Sequence, residues 1–359
     1  MSDLFALTSE IVDIPSVSHD EAAIASFVER ALSQVEGLEV VRIGDNVIAR
    51  TELGRNERVV LAGHLDTVPA AGNEHARIDG DRLYGLGSAD MKGGVAVALA
   101  LARRPWAPRY DLTYVFYACE EVGRKESGLA VVDEERPDLL VGDAAILLEP
   151  TSAVVEAGCQ GVMRLVLTTQ GRRAHVARPW MGENAIHRLG AALVRVASFE
   201  ERRPVLDGCE YRESLQAVRV EGGVAGNVVP DRAVAELSHR FAPDRETTAA
   251  FAAIEQLVGP ALDPSLGDSL DIWEVDDPAP PSLDHPVLSA LVERSGAPPR
   301  AKLGWTDVSY FAGKGIPAAN FGPGDPQLAH RPDEFVTRAD LERVHATLFA
   351  LLGENSASS

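Results

Sequence analysis

The amino-acid sequence predicts a two-domain α/β protein in which a smaller α+β domain interrupts a larger one. The first observation is length, because 359 residues exceed the roughly 150 of an average domain. The second is that short apolar runs alternate with helical segments up to residue 150, which is typical of a buried parallel sheet. The third is a change after that point to strands of alternating polarity, which indicate a half-exposed sheet.

The larger domain is predicted to begin with two amphipathic helices. Their apolar residues recur at helical spacing between residues 5 and 32, on either side of Pro15. A further helix is predicted at 94–101. The predicted strands lie at 38–41, 47–50, 58–62, 112–117 and 144–148. Because the central strands are apolar throughout, we expect them to be buried on both faces.

The inserted domain is predicted from two strands and two helices. The strands lie at 161–167 and 233–240, and the helices at 184–196 and 247–258. The proline-dense segment 276–286 is typical of an extended connection, and a helix, a strand at 318–321 and a last helix from Arg338 follow it. We therefore expect the larger domain to comprise 1–159 and 276–359, and the insertion 160–275.

Charge and composition exclude several classes of function. The 54 acidic residues outnumber the 34 basic ones and give a net charge of −20, which disfavours binding to nucleic acid or to an anionic membrane. The first 30 residues lack the pattern of a signal peptide and the three cysteines form no CxxC pair, so we expect a cytoplasmic protein. The glycine-rich segment 85–94 lacks the third glycine of a dinucleotide loop, and no phosphate-binding loop or GxSxG motif occurs.

Acidic and imidazole side chains follow the ends of three predicted buried strands. In chain order they are His64 and Asp66, then Glu120 and Glu121, then Glu149. Ligands bind at the carboxyl ends of the strands in open α/β sheets, so we expect these side chains to converge. With nearby Asp90 they would bring several ionised carboxylates into one cleft, and burying unpaired carboxylates costs several kcal/mol each.

Divalent metal ions would neutralise this charge. His64 and His330 supply the nitrogen ligands that zinc and cobalt prefer over magnesium and calcium. Asp66 lies two residues after His64, on the same side of an extended chain, and is placed to accept the second ring proton. The alternatives are a solvated acidic surface at Glu120 and Glu121 and a structural core histidine at His64.

Five motifs make the sequence resemble the co-catalytic zinc amidohydrolases, a family that includes aminoacylases, carboxypeptidase G and acetylornithine deacetylase. They are GHLDTVP at 63–69, SADMKGG at 88–94, CEE at 119–121, LLEPT at 147–151 and AHRPDE at 329–334. The motifs span nearly the whole chain in the order found in the family. The resemblance implies a zinc-exopeptidase-like α/β/α catalytic domain and an inserted ferredoxin-like α+β domain through which two chains form a homodimer.

The resemblance also implies a role for each residue of the site. Two Zn²⁺ ions, or Co²⁺ ions, are expected per subunit, one held by His64, Asp90 and Glu149 and the other by Asp90, Glu121 and His330. Asp90 would then bridge the two ions. The catalytic set is expected to comprise Glu120 as general base, Asp66 as the partner of His64, and His175, which would reach the partner subunit's active site and hydrogen-bond the reacting carbonyl.

Five further residues are expected to bind a small N-acyl amino acid. They are Arg178, Asn227, Arg240, Thr306 and Gly324. A guanidinium group offers a carboxylate bidentate hydrogen bonds, although a surface ion pair is the alternative for each arginine. The first candidate reaction is hydrolysis of N-succinyl-LL-2,6-diaminopimelate to succinate and LL-2,6-diaminopimelate, a step towards lysine and the cell wall. The alternatives are deacetylation of N-acetylornithine or N-acetyl-lysine, hydrolysis of a dipeptide, and metal binding without catalysis.

Overall fold

The structure is a computed structural model that describes residues 3–104 and 107–353. The chain divides into two compact units, which confirms the predicted two-domain α/β class. The larger unit comprises Met1–Ala157, Pro281–Arg300 and Tyr310–Ser359, and the smaller unit comprises Gly158–Pro280 and Ala301–Ser309. Among the described residues, every helix is too short or too polar to cross a bilayer.

The first part of the larger unit contains the predicted helices and strands in the predicted order. Its helices are α1 (Leu4–Val12), α2 (Ala22–Leu32), α3 (Lys92–Ala102) and α4 (Gly128–Glu135). Its strands are β1 (Leu38–Ile43), β2 (Asn46–Thr51), β3 (Arg58–His64), β4 (Arg77–Asp79), β5 (Arg82–Tyr84), β6 (Asp111–Tyr117), β7 (Ala144–Pro150) and β8 (Glu156–Ala157). Helix α4 and strands β4, β5 and β8 are missing from the sequence prediction. The strands are missed because two or three residues show no period.

The remaining elements follow in chain order. They are β9 (Gly161–Gln170), α5 (Ala185–Ala197), β10 (Val205–Leu206), β11 (Cys209–Glu210), β12 (Ser214–Gly222), β13 (Arg232–Phe241), α6 (Thr247–Val258), β14 (Ser269–Asp276), α7 (Pro286–Ser295), β15 (Arg300–Ala301), α8 (Val308–Gly313), β16 (Ala318–Gly322), β17 (Phe335–Thr337) and α9 (Arg338–Leu352). The segment between β14 and α7 contains no helix or strand, as its prolines predict.

The larger unit is built on an eight-stranded sheet of order β1-β2-β6-β3-β7-β16-β8-β15. Strands β6, β3, β7 and β16 are parallel, whereas β1 and β2 are antiparallel at one edge. Residues of β6 and β7 are buried throughout, which is why both strands are mostly apolar in the sequence. Parallel strands end at the same edge of a sheet, so the residues that follow them are brought together.

The smaller unit is a four-stranded antiparallel sheet of order β12-β13-β9-β14 with an apolar core supplied partly by α5 and α6. The chain order β9-α5-β12-β13-α6-β14 is that of the ferredoxin-like fold. Strands β12 and β14 form the two edges and are mostly exposed or half-buried. They therefore lack the alternation of apolar and polar residues that makes a strand visible in a sequence.

Candidate active site

Six of the predicted site residues converge in the larger unit, at the carboxyl ends of its parallel strands. They are His64 at the end of β3, Asp90 before α3, Glu120 and Glu121 after β6, Glu149 in β7, and His330 after β16. Three overlapping groups have ligand atoms within 4.8 Å of one another, namely His64–Asp90–Glu149, Asp90–Glu121–His330 and His64–Glu120–Glu121. The first two groups have the same members as the two ligand sets that the family resemblance implies.

Asp90 lies between the two imidazoles. His64 Nε2 is 3.2 Å from Asp90 Oδ1, and His330 Nε2 is 3.6 Å from Asp90 Oδ2. The same His330 nitrogen is 2.9 Å from Glu121 Oε1. Imidazole nitrogens and carboxylate oxygens form the donor set that Zn²⁺ and Co²⁺ accept. The side chains present therefore fit divalent ions of this type.

The electrostatics of the cluster favour positive charge at its centre. Complete burial alone would lower the pKa of His64, but hydrogen bonds to Asp66 and Asp90 raise it well above its ordinary value. The hydrogen bond to Glu121 raises the pKa of His330 to about 9, although partial burial opposes the rise. Both pKa values rise for the same reason, because the surrounding carboxylates stabilise the protonated, positively charged imidazole. A divalent metal ion carries such a charge and changes the local pKa values accordingly.

Asp66 is fully buried and organises the loop that carries two of the acidic residues. Its Oδ1 accepts the Glu120 N–H and its Oδ2 accepts the Glu121 N–H, each at 3.0 Å. His64 Nδ1 lies 3.0 Å from the Asp66 carbonyl oxygen and 3.5 Å from its Oδ1, so the main-chain oxygen is the nearer acceptor for the ring proton. Burial alone would raise the pKa of Asp66, but the His64 ring and the two N–H groups lower it to about 2.

Two buried side chains that sequence reasoning missed complete the support of this loop. The Ala118 N–H donates to Asn46 Oδ1 at 2.9 Å, and the Cys119 N–H donates to Glu21 Oε1 at 3.1 Å. Together with Asp66, they engage the four consecutive N–H groups of residues 118–121. Cys119 adopts a left-handed backbone conformation with φ of 57°. Asn46 and Glu21 precede apolar runs in the sequence, but nothing there distinguishes them from ordinary turn and helix-start residues.

Two glycines allow close packing around the strand that carries Glu149. A Cβ atom at Gly94, in α3, would overlap the carbonyl oxygen of Leu148, and so would one at Gly322, in β16. The helix and the neighbouring strand can therefore approach β7 only because both positions lack a side chain. This packing fixes the backbone on both sides of a predicted metal ligand.

His175, Arg178 and Asn227 lie in the smaller unit on two exposed, paired segments. The Arg178 N–H donates to the His175 carbonyl oxygen at 2.7 Å, and the Val176 N–H donates to the Asn227 carbonyl oxygen at 3.1 Å. The Ala177 N–H donates to His175 Nδ1 at 3.1 Å. Because Nδ1 accepts this bond, the proton of the neutral ring lies on Nε2, which is then available as a donor.

The remaining predicted residues are distributed over both units. Arg240 lies in β13, where burial lowers the pKa of its guanidinium, and Thr306 is buried with its carbonyl oxygen 3.7 Å from Cys159 Sγ. Gly324 belongs to the larger unit, follows β16 and accepts the Ser152 N–H at 2.7 Å through its carbonyl oxygen. The structure thus groups the predicted metal ligands in one unit and most predicted substrate contacts in the other.

Imidazoles and carboxylates gathered at the carboxyl ends of the parallel strands of an α/β fold are the arrangement expected of a metal-dependent hydrolase. The sequence profile described as Peptidase family M20/M25/M40 matches residues 60–354, and the chain belongs to this family.

Full-length relatives support this assignment. A protein of Mycobacterium tuberculosis that carries the name succinyl-diaminopimelate desuccinylase is 52% identical over 339 residues, which are 93% of each chain. The succinyl-diaminopimelate desuccinylase of Corynebacterium glutamicum is 43% identical over 363 residues, with 99% of this chain and 97% of the relative covered. The crystal structure of aminopeptidase PepT from Bacillus cereus superposes with a TM-score of 0.79 at 18% identity and covers 98% of this chain and 97% of its own. That likeness supports the fold.

Proposed function

We propose that the chain hydrolyses N-succinyl-LL-2,6-diaminopimelate to succinate and LL-2,6-diaminopimelate. The observation that carries the proposal is the clustering of six predicted site residues at one edge of the larger sheet. The identity of 52% and 43% to two full-length relatives that bear the name of this activity supports the choice of substrate.

The residues that would hold two ions are those of the cluster. His64, Asp90 and Glu149 would form one set of ligands, and Asp90, Glu121 and His330 the other. Zn²⁺ is the first choice and Co²⁺ the second, because both accept imidazole and carboxylate together. When bound, such ions supply Lewis-acid polarisation of the scissile carbonyl and lower the pKa of water.

Glu120 acts as the general base in the proposed reaction. It belongs to the group of ligand atoms with His64 and Glu121, and its main chain is fixed by Asp66. Its carboxylate removes a proton from the attacking water as the new carbon–oxygen bond forms. When the carbon–nitrogen bond breaks, Glu120 returns that proton to the departing amine. The second proton of the water passes from the new carboxyl group to the amine or to solvent, so that succinate leaves as a carboxylate.

His175 stabilises the oxyanion that develops on the scissile carbonyl. Its Nε2–H is the available donor in the neutral ring, because Nδ1 accepts the Ala177 N–H at 3.1 Å. We assign this contact to His175 of the partner subunit in a homodimer formed through the smaller unit.

Five further residues bind the carboxylates and the amino acid portion of the substrate in the proposed reaction. They are Arg178, Asn227, Arg240, Thr306 and Gly324. The three cysteines, which form no CxxC pair, support a cytoplasmic location.

The test compares two acyl groups on the same zinc-loaded protein. We expect release of succinate from N-succinyl-LL-2,6-diaminopimelate and a much lower kcat/KM for N-acetylornithine, N-acetyl-lysine and dipeptides. Dialysis against a chelator should abolish turnover, and added Zn²⁺ or Co²⁺ should restore it. Faster cleavage of an acetyl substrate would reassign the specificity, whereas turnover that survives removal of metal would refute the proposed mechanism.

A further inference from the structure

The loop that carries Asp90 is held by a carboxylate from a distant segment of the chain. Glu334 lies just before β17 and is 1% exposed. Its Oε1 accepts the Ala89 N–H at 2.8 Å and the Asp90 N–H at 3.0 Å, and its Oε2 accepts the Gly87 N–H at 3.2 Å. Three main-chain donors of one short loop are therefore satisfied by a single side chain.

The segment that supplies Glu334 also supplies His330. The Gly85 N–H donates to the Glu334 carbonyl oxygen at 3.2 Å, so main chain and side chain both hold the loop. Directly afterwards, β17 pairs with β5, the strand that leads into this loop. Asp90 and His330, whose Oδ2 and Nε2 atoms lie 3.6 Å apart, are thus positioned by two segments that Glu334 joins.

Lys92 holds the other end of the same loop. Its side chain is buried, and its Nζ donates to the Ile14 carbonyl oxygen at 2.6 Å. Its N–H donates to the Gly87 carbonyl oxygen at 2.7 Å. Burial lowers the pKa of the Lys92 ammonium to about 8, while the nearby charge of Glu334 acts in the opposite direction. The loop is therefore fixed at both ends by buried charged side chains.

A buried carboxylate is costly unless its oxygens accept hydrogen bonds, and those of Glu334 accept them from the loop that ends at Asp90. We propose that Glu334 is a positioning residue of the metal centre, which orients the loop so that the two oxygens of Asp90 face His64 and His330. The inference rests on the proposed two-metal function. It assigns Glu334 no contact with substrate and no direct bond to a metal ion.

The test uses Glu334→Gln, measured as metal-free protein titrated with Co²⁺. Glutamine keeps the shape of the side chain and one acceptor oxygen. Its other terminal atom is an NH₂ group, which cannot accept a hydrogen bond, so at least one of the three loop N–H groups loses its acceptor. We expect Co²⁺ affinity to fall about 10- to 100-fold, with an altered visible absorption spectrum of the bound Co²⁺. In the zinc enzyme, kcat should fall while KM stays unchanged, because substrate contacts are intact.

Asp333→Asn is the matched control. Asp333 is exposed, is adjacent in sequence, and forms an ion pair with Arg331 at 2.8 Å, so Asp333→Asn replaces a neighbouring carboxylate by an amide without touching the loop. We expect the Co²⁺ affinity and spectrum of this variant to match those of the unmodified protein. The unfolding temperature of each metal-free variant separates an effect on the centre from an effect on folding.

Glu334→Asp keeps the charge but withdraws the oxygens by one methylene, and it decides the case if Glu334→Gln does not fold. An unchanged Co²⁺ affinity and spectrum in either folded variant would overturn the proposal. Failure of both variants to fold would assign Glu334 to general stability and would also overturn it. If the unmodified protein itself does not bind two Co²⁺ ions, the proposed function fails instead, which distinguishes the two outcomes.

Discussion

The two units shift the pKa of a buried histidine in opposite directions. His64 in the larger unit and His239 in the smaller one are both fully or almost fully buried, at 1% and 0% exposure. Carboxylates raise the pKa of His64 well above its ordinary value, whereas burial lowers the pKa of His239 to about 4. Burial alone therefore favours a neutral ring, and only the added carboxylates turn a buried histidine into part of a cation-binding cluster.

The units also differ in the exposure of several of their predicted functional residues. In the larger unit, buried Asp66, Glu21 and Asn46 engage the main chain beside Glu120 and Glu121. In the smaller unit, His175, Arg178 and Asn227 lie on exposed segments. Buried hydrogen bonds thus hold the main chain beside the predicted base and metal ligands, whereas the predicted substrate contacts at these three positions are exposed. The following predictions test that division.

The largest effect is expected at Glu120. Glu120→Gln keeps the size of the side chain and removes the proposed general base, so kcat should fall about 10²- to 10⁴-fold. Metal content, measured by elemental analysis, should stay near that of the unmodified protein. Glu134→Gln, at an exposed position in α4, is the control and should retain full activity.

Two results would change this assignment. Retained turnover in Glu120→Gln would remove the residue from the mechanism. Loss of a metal ion would make Glu120 a ligand, a role its grouping with His64 and Glu121 allows.

The second prediction concerns His175 and the division between the units. His175→Ala removes the proposed oxyanion donor and should lower kcat about 10²- to 10³-fold. If the group acts on the partner subunit's active site, mixing this variant with Glu120→Ala should regenerate one complete site in each mixed dimer. Measured activity should then rise well above that of either variant alone.

Absence of such recovery in mixed dimers, whose formation is verified by mass spectrometry, would place His175 and Glu120 in one chain's site. His187→Ala, on the exposed surface of α5, is the control and should leave activity unchanged.

Sequence alone predicts the parts of this molecule that rest on strong periodicity. Strands β6 and β7 are buried throughout, so both contain apolar runs with acidic residues at or just beyond their carboxyl ends, a pattern that the sequence displays directly. The edge strands β12 and β14 are not predicted, because solvent exposure removes the pattern.

The same limit applies within the site. The clustered acids are predicted from their positions after strands, whereas Glu21, Asn46 and Glu334 act through hydrogen bonds to residues 72 or more positions away. No local pattern marks such contacts, because a buried carboxylate and a solvated one look alike in sequence. Sequence reasoning also misses that the nearer acceptor for His64 is the Asp66 carbonyl oxygen. The direction in which a main-chain oxygen points is a property of the fold.

The third prediction tests how strongly the larger unit depends on Asp66. Asp66→Asn keeps one acceptor oxygen but presents an NH₂ group to one of the two N–H donors of Glu120 and Glu121. We expect kcat to fall about 10- to 100-fold, as for other partners of metal ligands. Asp79→Asn, on the exposed surface of β4, is the control. Equal activity of both variants would show that the loop does not need Asp66.

The last prediction returns to His239 and affects stability rather than catalysis. His239 Nδ1 lies 2.9 Å from the Ser214 carbonyl oxygen, and its Nε2 lies 3.5 Å from Arg245 Nη2. Burial, and then the charges of Arg245 and Arg202, disfavour the protonated ring. The folded pKa of about 4 lies below the ordinary value of 6.5, so the unfolded chain binds more protons between these pH values.

The stabilising contribution of neutral His239 is therefore complete above pH 6.5 and is lost as the pH falls towards 4. Between pH 7 and pH 5 we expect the metal-free protein to lose about 2 kcal/mol of unfolding free energy through this residue.

His239→Asn retains an N–H donor for the Ser214 carbonyl oxygen but does not titrate, so urea unfolding of this variant should show a correspondingly weaker pH dependence. His187→Asn, at an exposed position of α5, should keep the pH dependence of the unmodified protein. Identical slopes for His239→Asn and the unmodified protein would show that the smaller unit tolerates a charged ring at this position, and the contrast with His64 would then be one of degree.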